Sequence, residues 1–229
     1  VIEDLAYFGM DFREDYSEPG KPPFQPTVGK YNDNYVLLIS SSKAFSYAGQ
    51  RIGSMVVSDG LFKRRYPDLK RYFTSDQFGY CLIYNALYTL SAGVPQSPQY
   101  GLKAVLEAVN NGTYKYRNDV KEYAERAKEM KRVFFENGFE LVYDNDDGKP
   151  LADGFYFTIS YPGMDGGELL ENLLYYGISA IALQTTGSER TEGLRACVSQ
   201  TSRGQLKDLE ERLKQFHKDF PLKKTQANS

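Results

Sequence analysis

The sequence predicts an α/β chain built in two parts, and three observations carry that reading. Two short apolar runs rich in β-branched residues, 35–39 (YVLLI) and 52–57 (IGSMVV), stand close together in the first half, with the length and composition of buried strands. From Asn118-Asp119 onward Val120, Tyr123, Ala127, Met130 and Phe134 recur at spacings of three and four, the period of a long helix with one buried face. Beyond it Phe155, Phe157, Ile159 and Tyr161 alternate with Tyr156, Thr158 and Ser160, as in a strand buried on one side. The character of the chain changes here, so two domains are expected, 1–117 and 118–229.

Taken in order, residues 1–7 (VIEDLAY) read as a short strand running into a turn, with no preceding segment to pair with and no initiating methionine; that is the look of a chain entered in the middle of a protein. Residues 11–34 are rich in Pro, Gly, Asp and Asn and read as a surface loop. The two strands follow with a serine-rich turn between them, and 61–92 reads as helix. The long helix from 118 stops at Asn137-Gly138, a residue pair suited to a helix end. Asp165 with Glu168 forms an N-terminal capping pair ahead of Leu169, Leu170, Leu173 and Leu174, and Ser202 with Gln205 forms a capping box ahead of Leu206, Leu209, Leu213 and Phe216. Between them 178–183 and 194–198 read as strands. The tail beyond Pro221 is polar.

Composition narrows the function classes. A chain of 229 residues, 41% hydrophobic and 25% charged, buries a core without staples. A formal charge of −2 exerts no global pull on nucleic acid or anionic membrane, and the basic run Lys63-Arg64-Arg65 with Lys70-Arg71 is interrupted by Asp68 and preceded by Asp59. A small ligand or a protein partner is expected instead. Cys81 and Cys197 are read as buried thiols in a reducing compartment, which points to the cytoplasm. No apolar run has the length to span a bilayer, and VIEDLAYF has no signal-peptide pattern. The single histidine, His217, reads as a surface residue near a helix end. With one histidine and no CxxC spacing, neither a Ser-His-Asp triad nor a zinc site is supported, and no metal site is expected.

The chemistry concentrates in SSSKAFSYAGQRIG, residues 40–53. Lys43 follows directly on an apolar strand, and strand ends in α/β sheets are where ligands bind. A lysine becomes a covalent catalyst when its amine meets an aldehyde or ketone in a site that favours the neutral amine or its Schiff base. Ser40 and Arg51 flank it with groups suited to phosphate oxygens. Asp4 and Tyr7 stand on the preceding strand and turn. Taken singly, each of these residues is more often a strand-end cap or a solvated surface group.

Their order is what separates them from that background. Asp4-Leu5-Ala6-Tyr7, Ser40-Ser41-Ser42-Lys43, Gly49-Gln50-Arg51-Ile52-Gly53 and Gly193-Leu194-Arg195-Ala196-Cys197-Val198-Ser199 together resemble the class I/II aminotransferases of the fold-type I pyridoxal phosphate enzymes, over nearly the whole chain. The resemblance implies that 1–117 is the C-terminal part of a large mixed-sheet cofactor domain, and that 118–229 is a connecting helix with a small α+β domain. It implies that Lys43 carries pyridoxal 5'-phosphate and shuttles the substrate proton, and that Asp4 holds the pyridine nitrogen protonated. Tyr7 donates to the phenolic oxygen, Ser40 and Arg51 clamp the phosphate, and Arg195 binds the substrate α-carboxylate. Substrates would be an amino acid and a 2-oxo acid, and the assembly a homodimer. The loop completing the phosphate cup and the ring-stacking residue would lie upstream of Val1. Other fold-type I activities, such as carbon–sulfur lyases, use the same lysine, aspartate and arginine; aminotransferase-like domains of transcription regulators share the pattern too.

Overall fold

In the computed structural model, which describes residues 1–14, 16, 18–152 and 154–222, the apolar run after Asn34 does become a strand. In chain order the elements are β1 (Ile2–Leu5), β2 (Val36–Ser40), α1 (Ser41–Ala44), β3 (Gly53–Val57), α2 (Asp59–Lys63) and α3 (Phe78–Tyr80). A π-helical segment, Cys81–Leu87, continues α3 into α4 (Tyr88–Ser91), followed by α5 (Gln96–Asn110) and α6 (Tyr116–Glu136). Then come β4 (Glu140–Leu141), β5 (Asn145–Asp146), β6 (Lys149–Pro150), β7 (Tyr156–Ser160), α7 (Gly166–Tyr175), β8 (Ile181–Ala182), β9 (Leu194–Cys197) and α8 (Arg203–Asp219). The chain divides into two compact units, one of Val1–Gly9 with Glu14–Val120 and one of Met10–Arg13 with the chain from Lys121 onward.

In the first unit β2 is the central strand of a mixed sheet, parallel to β1 and antiparallel to β3. The register sets Asp4 opposite Leu38 and Ser40 opposite Gly53, which places Asp4, Leu38, Ser40 and Met55 on one face. Ser58 ends β3 and caps α2: its hydroxyl accepts from the Leu61 amide and donates to the Asp33 carbonyl. Val36, Leu37 and Ile52 are buried, but Ser54 and Val56 are exposed, so the second strand is not the buried strand its composition suggests. Among the described residues no strand pairs with its outer edge.

The second unit holds a four-stranded antiparallel sheet in the order β4-β7-β9-β8. Its core gathers the inward residues of β7 and β9 with α6, α7 and α8, and Leu169, Leu173, Leu194, Val198, Leu213 and Phe216 are fully enclosed. The sequence-visible caps form. Asp165 accepts from the Glu168 amide, and Ser202 and Gln205 close a reciprocal box at the start of α8. At the end of α6 Asn137 donates to the Val133 carbonyl at 2.7 Å, and Gly138 turns the chain at φ +85°. A Cβ there would come within 2.8 Å of the His217 ring, so only glycine fits.

Several expectations need correction. The long helix begins at Tyr116, not at Asn118. The helical stretch 61–92 is broken after Lys63 and resumes at Phe78, with a 3-10 turn at Pro67–Arg71 between. Only Ile181–Ala182 of the run 178–183 joins the sheet; Leu183 already enters a 3-10 turn. His217 is half-buried, its Nδ1 2.7 Å from the Tyr161 hydroxyl. Cys81 is buried, but Cys197 is only half-buried. The polar tail from 223 lies outside the described residues. Among those residues no helix is long and apolar enough to cross a membrane.

Candidate active site

The segment between β2 and β3 is closed at its base by the ladder pair Ser40 and Gly53. A Cβ on Gly53 would approach the Ile39 carbonyl oxygen to 2.8 Å, so the close strand pairing requires glycine. Inside this base the buried Ser41 hydroxyl donates to the Ile52 carbonyl. Ser41 is thereby committed to the loop itself. Ser40 acts as N-cap of α1, its oxygen accepting from the Ser42 amide at 3.1 Å, which leaves its own proton to donate elsewhere.

Lys43 lies on α1, one short helical turn past the strand, and is half-buried. Its ammonium sits 5.9 Å from the centroid of the Tyr7 ring, within cation–π range. Tyr7 follows β1 in a turn in which the Phe8 amide donates to the Leu5 carbonyl. Asp4 is exposed on β1, and one of its carboxylate oxygens accepts from the Ala6 amide at 2.9 Å. Arg51 adopts the left-handed conformation at φ 53° and donates from Nη1 to the Ala48 carbonyl at 2.9 Å. Among the described residues it pairs with no carboxylate, so its remaining donors are available.

Asp4, Ser40 and Arg51 line a single cavity of about 500 Å³ with Leu38, Met55 and Leu87. That volume lies within the roughly 300–1,000 Å³ usual for small-molecule sites. Lys43 and Tyr7 meet each other but are not among its lining residues. Sequence reasoning did not anticipate Leu87 and Val94, which wall the cavity; they come from the π-helical segment and the loop after α4, and no motif marks them. Ser42, also on the wall, is visible only as one serine among three.

Arg195 belongs to the second unit. On β9 it pairs with Thr158 of β7 and Ile181 of β8, and its side chain leaves the sheet on the face opposite Leu194 and Ala196. Its guanidinium stacks on Tyr156 at 4.3 Å from the ring centroid. Among the described residues no carboxylate pairs with it. A guanidinium held over a ring and paired with no carboxylate suits a carboxylate ligand.

The family described as aminotransferase class I and II matches residues 1–213. No curated protein matches the chain. Among solved structures the chain is similar to YbdL of Escherichia coli, whose structure and reactivity identify a methionine aminotransferase function, at 16% identity and a TM-score of 0.63, over 94% of this chain and 50% of that one. It is similar to an aromatic aminotransferase of Pyrococcus horikoshii at 17% identity and a TM-score of 0.67, over 96% and 51%. A third likeness, at 14% identity and a TM-score of 0.59 over 95% and 55%, is to L-threonine-O-3-phosphate decarboxylase of Porphyromonas gingivalis. At these identities the likeness is one of fold. The chain spans about half the length of the structures it matches.

Proposed function

The chain belongs to the class I and II aminotransferase family, and from that premise we propose that it carries the lysine-bearing part of an enzyme transferring an amino group between an amino acid and a 2-oxo acid. Residues 1–117 are then the C-terminal part of the large cofactor domain, and 118–229 the connecting helix with the small domain. The enzyme works as a homodimer. The observation that carries the reading is convergence: Asp4 from β1, Ser40 from the end of β2 and Arg51 from the loop before β3 line one cavity, while the turn after β1 brings Tyr7 to Lys43.

The family depends on pyridoxal phosphate, and the donor set fits that group. It offers an amine, a carboxylate, a phenol, and a hydroxyl with a guanidinium for an oxyanion. When bound, pyridoxal phosphate supplies the electron sink that makes the amino acid Cα–H bond acidic. Lys43 holds the cofactor through its amine and moves the proton at the substrate α-carbon. Asp4, with one oxygen engaged by the Ala6 amide, keeps the other to hold a proton on the pyridine nitrogen. Tyr7 donates its hydroxyl to the phenolic oxygen. Ser40 donates the proton its capping role leaves unused, and Arg51 offers a fork to the phosphate. Arg195 orients the amino acid through its α-carboxylate.

Borohydride reduction in the presence of pyridoxal phosphate, followed by peptide mapping, tests the assignment. Label is expected on Lys43 and absent in Lys43→Ala; label on a different lysine would refute it. Product analysis must accompany it, because the fold also hosts a decarboxylase. A 2-oxo acid formed from the amino donor supports transfer, and carbon dioxide or a cleaved side chain refutes it.

A further inference from the structure

The second unit contains a cavity that the proposed reaction does not use. It lies beneath α8, holds about 200 Å³, and has buried apolar lining from Met130 and Phe134 of α6, Leu173 of α7 and Ala196 of β9, with Ser179, Thr201 and Gln205 also on its wall. Its mouth carries two charges of opposite sign, Asp208 and Arg212, one helical turn apart on α8. Residues so placed ordinarily pair. Here they do not: the Arg212 guanidinium is turned to the Gly177 carbonyl, to which Nη1 donates at 2.9 Å. Among the described residues Asp208 pairs with no cation and Arg212 with no carboxylate. The Gly177 anchor fixes the guanidinium at the rim with donors to spare.

We propose that this cavity binds a small α-amino acid with an apolar side chain. The ligand class follows from the lining. A carboxylate and a guanidinium over an apolar floor match a molecule carrying an ammonium and a carboxylate on one carbon and a hydrocarbon or thioether group below them. A ligand with one charge leaves the opposite rim charge without a partner. Size narrows the class further. A cavity of about 150 Å³ lined by apolar side chains accommodates benzene, so 200 Å³ accommodates a leucine, methionine or phenylalanine side chain. It falls below the roughly 300 Å³ at which sites for larger ligands begin. The site rests on the geometry of the second unit and not on the reaction proposed for Lys43.

Calorimetric titration of the chain with L-leucine and L-methionine tests it, with leucinamide and 4-methylpentanoate as probes lacking the carboxylate and the ammonium. Saturable one-to-one binding is expected, weakened at least about 10-fold for either analogue and in Asp208→Asn, since a charge-assisted contact is lost in each case. Ala196→Leu fills the cavity and is expected to abolish binding. Should that variant fail to fold by circular dichroism, Asp208→Asn decides, because its carboxylate holds no partner in the fold. Arg195→Ala is expected to leave this binding unchanged. No saturable binding below about 10 mM, full affinity in Asp208→Asn, or loss of binding in Arg195→Ala would each overturn the proposal. The last result would assign the bound amino acid to the reaction site and so leave the aminotransferase reading standing.

Discussion

Truncating Phe216 to alanine tests whether the second unit is held by its aromatic core. The side chain is fully enclosed on α8, with ring centroids of Phe220, Tyr161, Tyr176 and Phe139 at 5.0, 5.1, 5.4 and 5.6 Å. The Tyr161 and Tyr176 rings meet it nearly edge-on, at 85° and 80°. Burying a phenyl ring and filling its volume is worth about 3–5 kcal/mol, and four rigid rings cannot collapse into the void, so the upper part of that range applies. Against a total of about 5–15 kcal/mol, the loss is a large fraction of stability. With a urea dependence of about 2 kcal/mol per molar, the midpoint should fall by about 2 M. Far-UV circular dichroism and tyrosine fluorescence report it, since the chain has 19 tyrosines and no tryptophan. Phe135→Ala, at a half-exposed position on α6, is the control and should stay within about 0.5 kcal/mol. A Phe216→Ala midpoint within about 0.5 M of the parent at unchanged slope would refute the reasoning.

Arg195→Ala should weaken amino and oxo acid binding about 10- to 100-fold in the active enzyme, while cofactor affinity stays the same; equal losses of both in kinetic and cofactor titrations would count against the role. Hydrogen bonds from Arg203 and Arg126 hold the Glu122 carboxyl down at about 2, against an ordinary 4.5. Its stabilisation is therefore complete above about pH 4.5 and lost as pH falls toward 2. The unfolding midpoints of the parent and Glu122→Gln should accordingly converge over that window, and a gap unchanged down to pH 2 would contradict the linkage. Ile83, Tyr84, Leu87, Tyr88 and Leu90 leave an apolar face exposed on the helical run 78–91, so the 229-residue chain should self-associate through it. Leu90→Lys combined with Tyr84→Lys should lower the mass seen by light scattering, and an unchanged mass would exclude that face.

What was legible in the sequence was local. The Ser202–Gln205 box, the Asp165 cap and the Asn137-Gly138 stop each depend on residues within one turn, and each forms as read. The alternation at Phe155–Tyr161 was legible because a one-sided strand writes its period directly into the chain. Helix α5 was not, because Pro98 and Gly101 fall inside it and its buried positions, Pro98, Leu102 and Val109, are sparse. The run 178–183 has strand composition, yet only Ile181 and Ala182 enter the sheet ladder, while the Ile178 amide donates back to Leu173 at the end of α7. His217 could not be placed because its partner, Tyr161, lies 56 residues away. At the candidate site motif order singled out Asp4, Ser40 and Arg51, which line one cavity, whereas Leu87 and Val94 reach it only through tertiary packing.

The closed base of the segment between β2 and β3 limits how this protein can diversify. Lys43 and Arg51 sit on one excursion of chain pinned at its mouth by the Ser40–Gly53 ladder pair and again by the Ser41 hydroxyl on Ile52. One inserted or deleted residue would break the inner pin or slip β3 by one position, and a one-residue slip turns every side chain of a strand to the opposite face. Met55 would then leave the cavity wall. Length drift is therefore expected to be forbidden between residues 40 and 53 and tolerated in the surface loop between β1 and β2, so that homologues vary in size around a lysine and an arginine whose separation along the chain does not change.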